Sequence, residues 1–177
     1  MRFGGTVLAA LLTLGACSSD PEPREPKRTA TSAAPTSAPP TMPAQAEEDT
    51  PEGAAAFVKH YIDVFNYAAS TGDVEELSSL SSPNCKGCQR YIKLYRDTYA
   101  AGGYFRDSDW RLSDLQLRRA GDSSTLFGTV TSPPGTYRRT SAETPEPGNA
   151  EDSDLTFIAN RTSTGWRLAT LELQADS

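Results

Sequence analysis

Two thiols three positions apart, in the stretch Cys85-Lys86-Gly87-Cys88, give this 177-residue chain its clearest capacity for chemistry. A zinc centre would need four ligands, and beyond the first cysteine, Cys17, the chain offers only this pair and one histidine, His60. Thiol-disulfide exchange is better motivated, because a cysteine at a helix start has its thiolate stabilised by the helix dipole and Lys86 adds positive charge. Such redox pairs usually follow a βαβ pattern, whereas here a Pro-containing turn precedes the pair. A disulfide is the third reading. Residues i and i+3 in a first helical turn come within the ~4.4 to 6.8 Å between Cα atoms that a disulfide requires. An oxidising compartment would favour it and confine its role to stapling the start of a helix.

Other candidate groups are sparser. His60 falls at the edge of an apolar helical arc beside Val64, a partly exposed packing or surface position rather than that of a general base. Asp109 and Asp114 flank Trp110 and, with Asp107 and Arg111, read as a solvated edge. The sequence has no serine-nucleophile motif, phosphate-binding glycine loop or carboxylate metal cluster, so no catalytic residue, metal or cofactor is assigned. What it does offer is aromatic. Tyr61, Phe65, Tyr91, Tyr95, Tyr99, Trp110 and Trp166, with Phe57, Phe127 and Phe157, supply a core. The first seven could also line an apolar pocket with a few polar tips, suited to a small apolar ligand.

The compartment is read from the other end of the chain. Arg2 is followed by an uncharged run over 3–14 and then Leu14-Gly15-Ala16-Cys17, the layout of a secretory signal ending in small residues. A dozen apolar residues fall short of the ~20 that a membrane-crossing helix needs. The segment resembles a bacterial lipobox, which implies that residues 1–16 are removed and that Cys17 carries the acyl chains. Several acyl chains on one residue give stable anchoring. The expected location is therefore the outer face of the cytoplasmic membrane, facing away from the cytoplasm. Residues 17–49 follow as a tether. From 18 to 49 there are seven prolines and no aromatic residue, too little apolar surface to offset the entropy of ordering. As a coil the tether would span roughly 30 Å, and fully extended about 100 Å. Residues 50–177 hold 13 basic against 17 acidic side chains and no basic cluster, which argues against nucleic acid and against electrostatic binding to anionic lipid.

The elements that must position these groups follow from spacing. Thr50-Pro51-Glu52 starts a helix, with Phe57, Val58, Tyr61, Ile62, Val64, Phe65 and Ala68 on one face and Lys59, Asp63 and Asn66 on the other. Gly72 ends it, and Asp73 with Glu76 makes a capping-box-like start for a short second helix to about Leu80. A third helix is predicted over 85–101, its apolar arc holding Tyr91, Ile92, Leu94, Tyr95 and Tyr99, with Cys88 inside the arc and Cys85 at its border. After Gly102-Gly103 the period changes to two. Trp110-Arg111-Leu112-Ser113-Asp114-Leu115-Gln116-Leu117 recurs as Trp166-Arg167-Leu168-Ala169-Thr170-Leu171-Glu172-Leu173, and in each the next leucine arrives one residue late, as a β-bulge requires. Further strands are predicted at 125–131, 136–139 and 155–160, with 141–153 as a long acidic loop. The fold class is α+β: three helices packed on one curved, mainly antiparallel sheet.

Helices followed by a bent sheet resemble the cone-shaped nuclear-transport-factor-two-like superfamily. Phe65-Asn66-Tyr67-Ala68, Ser70-Thr71-Gly72-Asp73, Leu80-Ser81-Ser82-Pro83 and the Cys85/Cys88 pair together resemble an actinobacterial lipoprotein family of unknown function. The resemblance implies a fold and a location and no chemistry. The functional expectation is a non-catalytic ligand-binding or protein-interaction module of the cell envelope, with a small apolar ligand or an envelope protein as partner. The alternative is an enzyme, either a cone-fold isomerase or hydratase or a thiol-disulfide exchanger using Cys85 and Cys88.

Overall fold

The structure, a computed structural model, describes residues 38–120 and 123–174. Cys17 and the signal segment lie outside them. Three helices precede seven strands: α1 (Pro51–Thr71), α2 (Glu75–Leu80), α3 (Lys86–Ala100), β1 (Gly102–Arg106), β2 (Arg111–Ala120), β3 (Ser123–Ser132), β4 (Thr136–Thr140), β5 (Glu146–Pro147), β6 (Glu151–Thr162) and β7 (Gly165–Leu173). No described helix is long and apolar enough to cross a membrane.

α1 begins and ends where its sequence dictates. The Thr50 hydroxyl accepts from the Gly53 N–H at 2.9 Å, Pro51 fills a first-turn position that needs no N–H, and Gly72 closes the helix in the left-handed region at φ 79°. The capping box expected for α2 forms only in part. Asp73 accepts from the Glu75 N–H at 3.1 Å, but the helix starts two residues later than Asp73, and Asp73 also accepts from the Tyr67 hydroxyl at 3.2 Å. α3 is capped by Cys85 itself, whose Sγ accepts from the Cys88 N–H at 3.2 Å.

The strands form two antiparallel sheets rather than one. β2-β3-β6-β7 make a four-stranded sheet and β1-β4-β5 a separate three-stranded one. The strand predicted at 136–139 belongs to the second sheet because it pairs with β1, a strand that its Gly-Gly start conceals in the sequence. Both predicted bulges are present. Between the Ser113–Thr129 and Gln116–Phe127 pairs, two residues of β2 face one of β3, and Asp114 takes the left-handed conformation at φ 52°. On β7, Ala169 is the extra residue between Leu168, opposite Ala159, and Thr170, opposite Ile158.

Three expectations are corrected here. The acidic loop over 141–153 is shorter than its composition suggests, because Glu146–Pro147 pairs with β4 and β6 starts at Glu151. The tether does not extend to Asp49. Residues Ala44–Glu47 form a 3-10 turn, Ala46 is 2% exposed, and the Trp166 Nε1–H donates to the Glu48 carbonyl at 2.9 Å. Phe127 is no core residue, since it points to the outer face of its sheet and is only half-buried.

The core lies between α1 and the four-stranded sheet. Phe57, Tyr61, Phe65, Leu77, Leu126, Phe157 and Leu168 are all within 1% of complete burial. Asn66, expected on the solvent side of α1, is half-buried. Its Oδ1 accepts from the Trp110 N–H at 2.8 Å and its Nδ2 donates to the Trp110 carbonyl at 2.9 Å, so it fastens α1 to the start of β2.

Candidate functional site: an aromatic cleft beside α3

α3 is set against β7 by its first turn. Cys85 and Cys88 form a disulfide with their Cα atoms 5.3 Å apart, and both are buried, at 1% and 0% exposure. With both sulfurs tied together neither is a metal ligand, and their burial shields them from an exchange partner. Between them, Gly87 lets two backbones meet: a Cβ at this position would lie 1.9 Å from the Leu171 carbonyl oxygen. On the other side, the Ser82 N–H donates to the Leu168 carbonyl at 2.8 Å, and Ser81 makes an isolated parallel bridge to Leu168. The turn before α3 is therefore stitched to β7.

Beside this junction, α3 and the sheets border a cleft of about 280 Å³. Tyr91, Leu94 and Tyr95 of α3 form one wall, with Phe105 of β1 and Trp110 at one end. Val130, Leu155 and Leu171 form the floor. The rim is polar, with Arg90, Glu151 and Glu172 among its residues, and it also carries Leu173, 65% exposed.

The wall is a continuous aromatic cluster. Phe65 lies behind it, with its ring centre 4.2 Å from Trp110, 5.0 Å from Tyr91 and 5.4 Å from Tyr95. Tyr91 meets Trp110 edge-on at 5.3 Å, and Tyr95 meets Phe105 edge-on at 5.3 Å. Edge-to-face packing of this kind holds rings in defined orientations. Tyr95 is 5% exposed and lines the cleft, and its hydroxyl is not one of the buried polar atoms left without a partner. Burial, followed by the neighbouring Tyr91, Tyr61 and Tyr99, holds this phenol well above its ordinary pKa. It stays neutral and is available as a donor to whatever enters.

Of the seven aromatic residues expected to line a pocket, the structure brings Tyr91, Tyr95 and Trp110 to the cleft. Phe65 supports them from the core. The other three are elsewhere. Tyr61 is fully buried, with its hydroxyl paired to Ser81 at 2.9 Å and its pKa raised by burial. Tyr99 donates to the Ala69 carbonyl at 2.8 Å, and Trp166 bonds to Glu48. Phe105 and the floor residues escape sequence reading because strand alternation shows which residues face inward, not where an inner face is left uncovered. His60 is also placed differently from expectation. It is 2% exposed, its Nε2 has no partner among the described residues, and burial lowers its pKa against the opposing pull of Asp63 and Glu76. Asp109 and Asp114 are exposed, as read from the sequence. Among the described residues no group of three His, Cys, Asp or Glu could hold a metal.

A family model described as a family of unknown function, DUF6318, matches residues 27–172. The chain belongs to this family. No curated protein matches the sequence. Among solved structures it is similar to the intermembrane-space region of the chloroplast protein ARC6, at 12% identity over 73% of this chain and 99% of that one, with a TM-score of 0.55. It is also similar to the Kfla4162 protein of Kribbella flavida, at 14% identity over 72% and 94% of the two chains, TM-score 0.52. A third is an NTF2-like protein with a cystatin-like fold from Novosphingobium aromaticivorans, at 19% identity over 71% and 89%, TM-score 0.41. At these identities the first two likenesses show a shared α+β fold. The expectation of a family without assigned activity stands, and the chemistry of this DUF6318 member has to be argued from its own residues.

Proposed function

We propose that this DUF6318 member is an outward-facing lipoprotein, anchored through acyl chains on Cys17, whose cone-like domain binds a small apolar ligand in the cleft beside α3 without transforming it. The observation that carries the binding reading is the lining of the cleft: Tyr91, Tyr95, Phe105 and Trp110 wall about 280 Å³ of space with aromatic surface, and the neutral Tyr95 phenol is among them. An apolar ligand there would leave water for contact with these rings, and the Tyr95 hydroxyl would add a donor for an acceptor oxygen. For the non-catalytic part, the support is the make-up of the cleft. Its carboxylates, Glu151 and Glu172, are exposed at the rim, and His60 is not among its lining residues.

The binding reading is tested by thermal shift of the purified protein against a panel of small apolar molecules with and without an acceptor oxygen. A ligand of the native state raises its melting temperature. The expected result is stabilisation by acceptor-bearing members, reduced about five- to ten-fold in affinity by Tyr95→Phe. No stabilisation across the panel would sink it. The anchor is tested by mass spectrometry of the mature N-terminus and by cell fractionation. Acylated Cys17 in the membrane fraction is expected, and Cys17→Ala should lose both. An unmodified N-terminus in wild-type protein would refute the anchor.

A further inference from the structure

The cleft does not end at Leu173. A second depression of about 290 Å³ adjoins it and shares Arg90, Leu171, Glu172 and Leu173 with it, adding Lys86 and Gly87 from the first turn of α3. The two differ in chemistry. The first is walled by Tyr91, Tyr95, Phe105 and Trp110, and the second is bordered by two cations.

Those cations are spare. Lys86 and Arg90 are both exposed, and neither forms an ion pair among the described residues, where the salt bridge found is Lys93–Asp97. Arg90 is held in place by stacking its guanidinium over the Tyr91 ring, 5.1 Å from its centre. Both sit at the positive end of a 15-residue helix, which adds to the local potential. Glu172 borders both depressions and works against an anion, leaving a net charge of +1 around the second one. Leu173, 65% exposed, stands on the shared lip, an apolar side chain held in water where the two spaces join.

We infer that the ligand is an amphiphile with an anionic head, its apolar tail lying in the aromatic cleft and its carboxylate or phosphate head meeting Lys86 and Arg90. The inference rests on the binding reading proposed above and adds the sign and location of the head. Leu173 covers the tail where it leaves the cleft.

The test uses the mature chain with Cys17 replaced by Ser, free of acyl chains, and three probes of equal tail below their micelle concentrations: decanoate, decanol and decyltrimethylammonium. Binding is followed by calorimetry and by the fluorescence of Trp110. Decanoate should bind about ten-fold or more tightly than decyltrimethylammonium, with decanol between, and added salt should narrow the gap. The double variant Lys86→Glu/Arg90→Glu, at exposed positions that do not threaten the fold, should reverse the order. Leu173→Ser should weaken all three alike. Decyl phosphate then distinguishes a phosphate head from a carboxylate head. If the cationic probe binds as well as or better than decanoate, the inference about the head is overturned while the cleft remains a binding site. If none of the three binds, the inference falls together with the reading on which it rests.

Discussion

Cys85 serves two purposes at once: it is half of a disulfide and the cap of α3. Because its four-residue loop is small, the entropic contribution of the bridge is only about 2 kcal/mol. The double variant Cys85→Ser/Cys88→Ser should lose about that much in chemical denaturation, since serine still caps a helix. In the native protein both sulfurs should resist alkylation under mild reduction and react fully once unfolded. Asn66 is the residue whose role its sequence position hides. Asn66→Ala should cost about 2 kcal/mol or more, because the Trp110 N–H and carbonyl both lose their partner. His60 brings a pH dependence. Burial lowers its pKa in the folded state, so below its ordinary value near 6.5 the unfolded chain binds the extra proton first. Its stabilising contribution is complete above that value and is lost as pH falls through the lower folded value. Melting curves from about pH 7 to pH 5 should show a steeper acid loss for wild type than for His60→Asn. The cysteine pairing is legible in the sequence because short spacing brings the two thiols within reach whatever the rest of the chain does. The environments of Asn66 and His60 are not, because a helical wheel shows which side a residue is on and not what crosses above it.

At the scale of elements, turn signals place α1 almost to the residue, and the doubled Trp-to-Leu octapeptide carries the mark of both bulges. Thr50, Pro51 and Gly72 are local devices whose physics needs no tertiary partner. Pairing partners are not local. β1 starts on Gly102 and Gly103, and the backbone of Arg138 and Arg139 lies within 2.6 Å of where a Cβ at Gly103 would be, so residues of low strand propensity are required by the strand next door. Composition carries no trace of that neighbour. Gly72 provides the element-scale prediction. At φ 79°, alanine costs about 1 to 2 kcal/mol from conformation alone. Its Cβ would also fall 2.3 Å from Cγ of Tyr99, so Gly72→Ala should lower the melting temperature more than the conformational term predicts. Pairing it with Tyr99→Ala should recover part of the loss.

For the whole molecule, the informative surprise is where the domain begins. Prolines and small residues mark everything up to Asp49 as tether, yet Met42 and Ala46 pack on the core and the Glu48 carbonyl holds Trp166 of β7. A stretch too polar to fold alone can still be ordered by a surface already built, and composition scores only the first property. Shortening the chain to begin at Thr50 should therefore cost about 1 to 3 kcal/mol relative to a start at residue 38, by uncovering apolar surface and leaving the Trp166 N–H unpaired. Paired denaturation curves would measure it. Equal stability would show that this segment adds nothing.

The close approach of Gly87 to Leu171 has a mechanical consequence. Helix and strand touch backbone to backbone at Gly87 and Leu171, and the same helix walls the cleft through Tyr91, Leu94 and Tyr95. The far end of the helix is fastened too, since the Tyr99 hydroxyl donates to the Ala69 carbonyl and the Tyr95 ring meets Phe105, so the cleft is framed from both ends. Any side chain larger than hydrogen at residue 87 would push α3 and β7 apart and reshape the cleft from its stapled end.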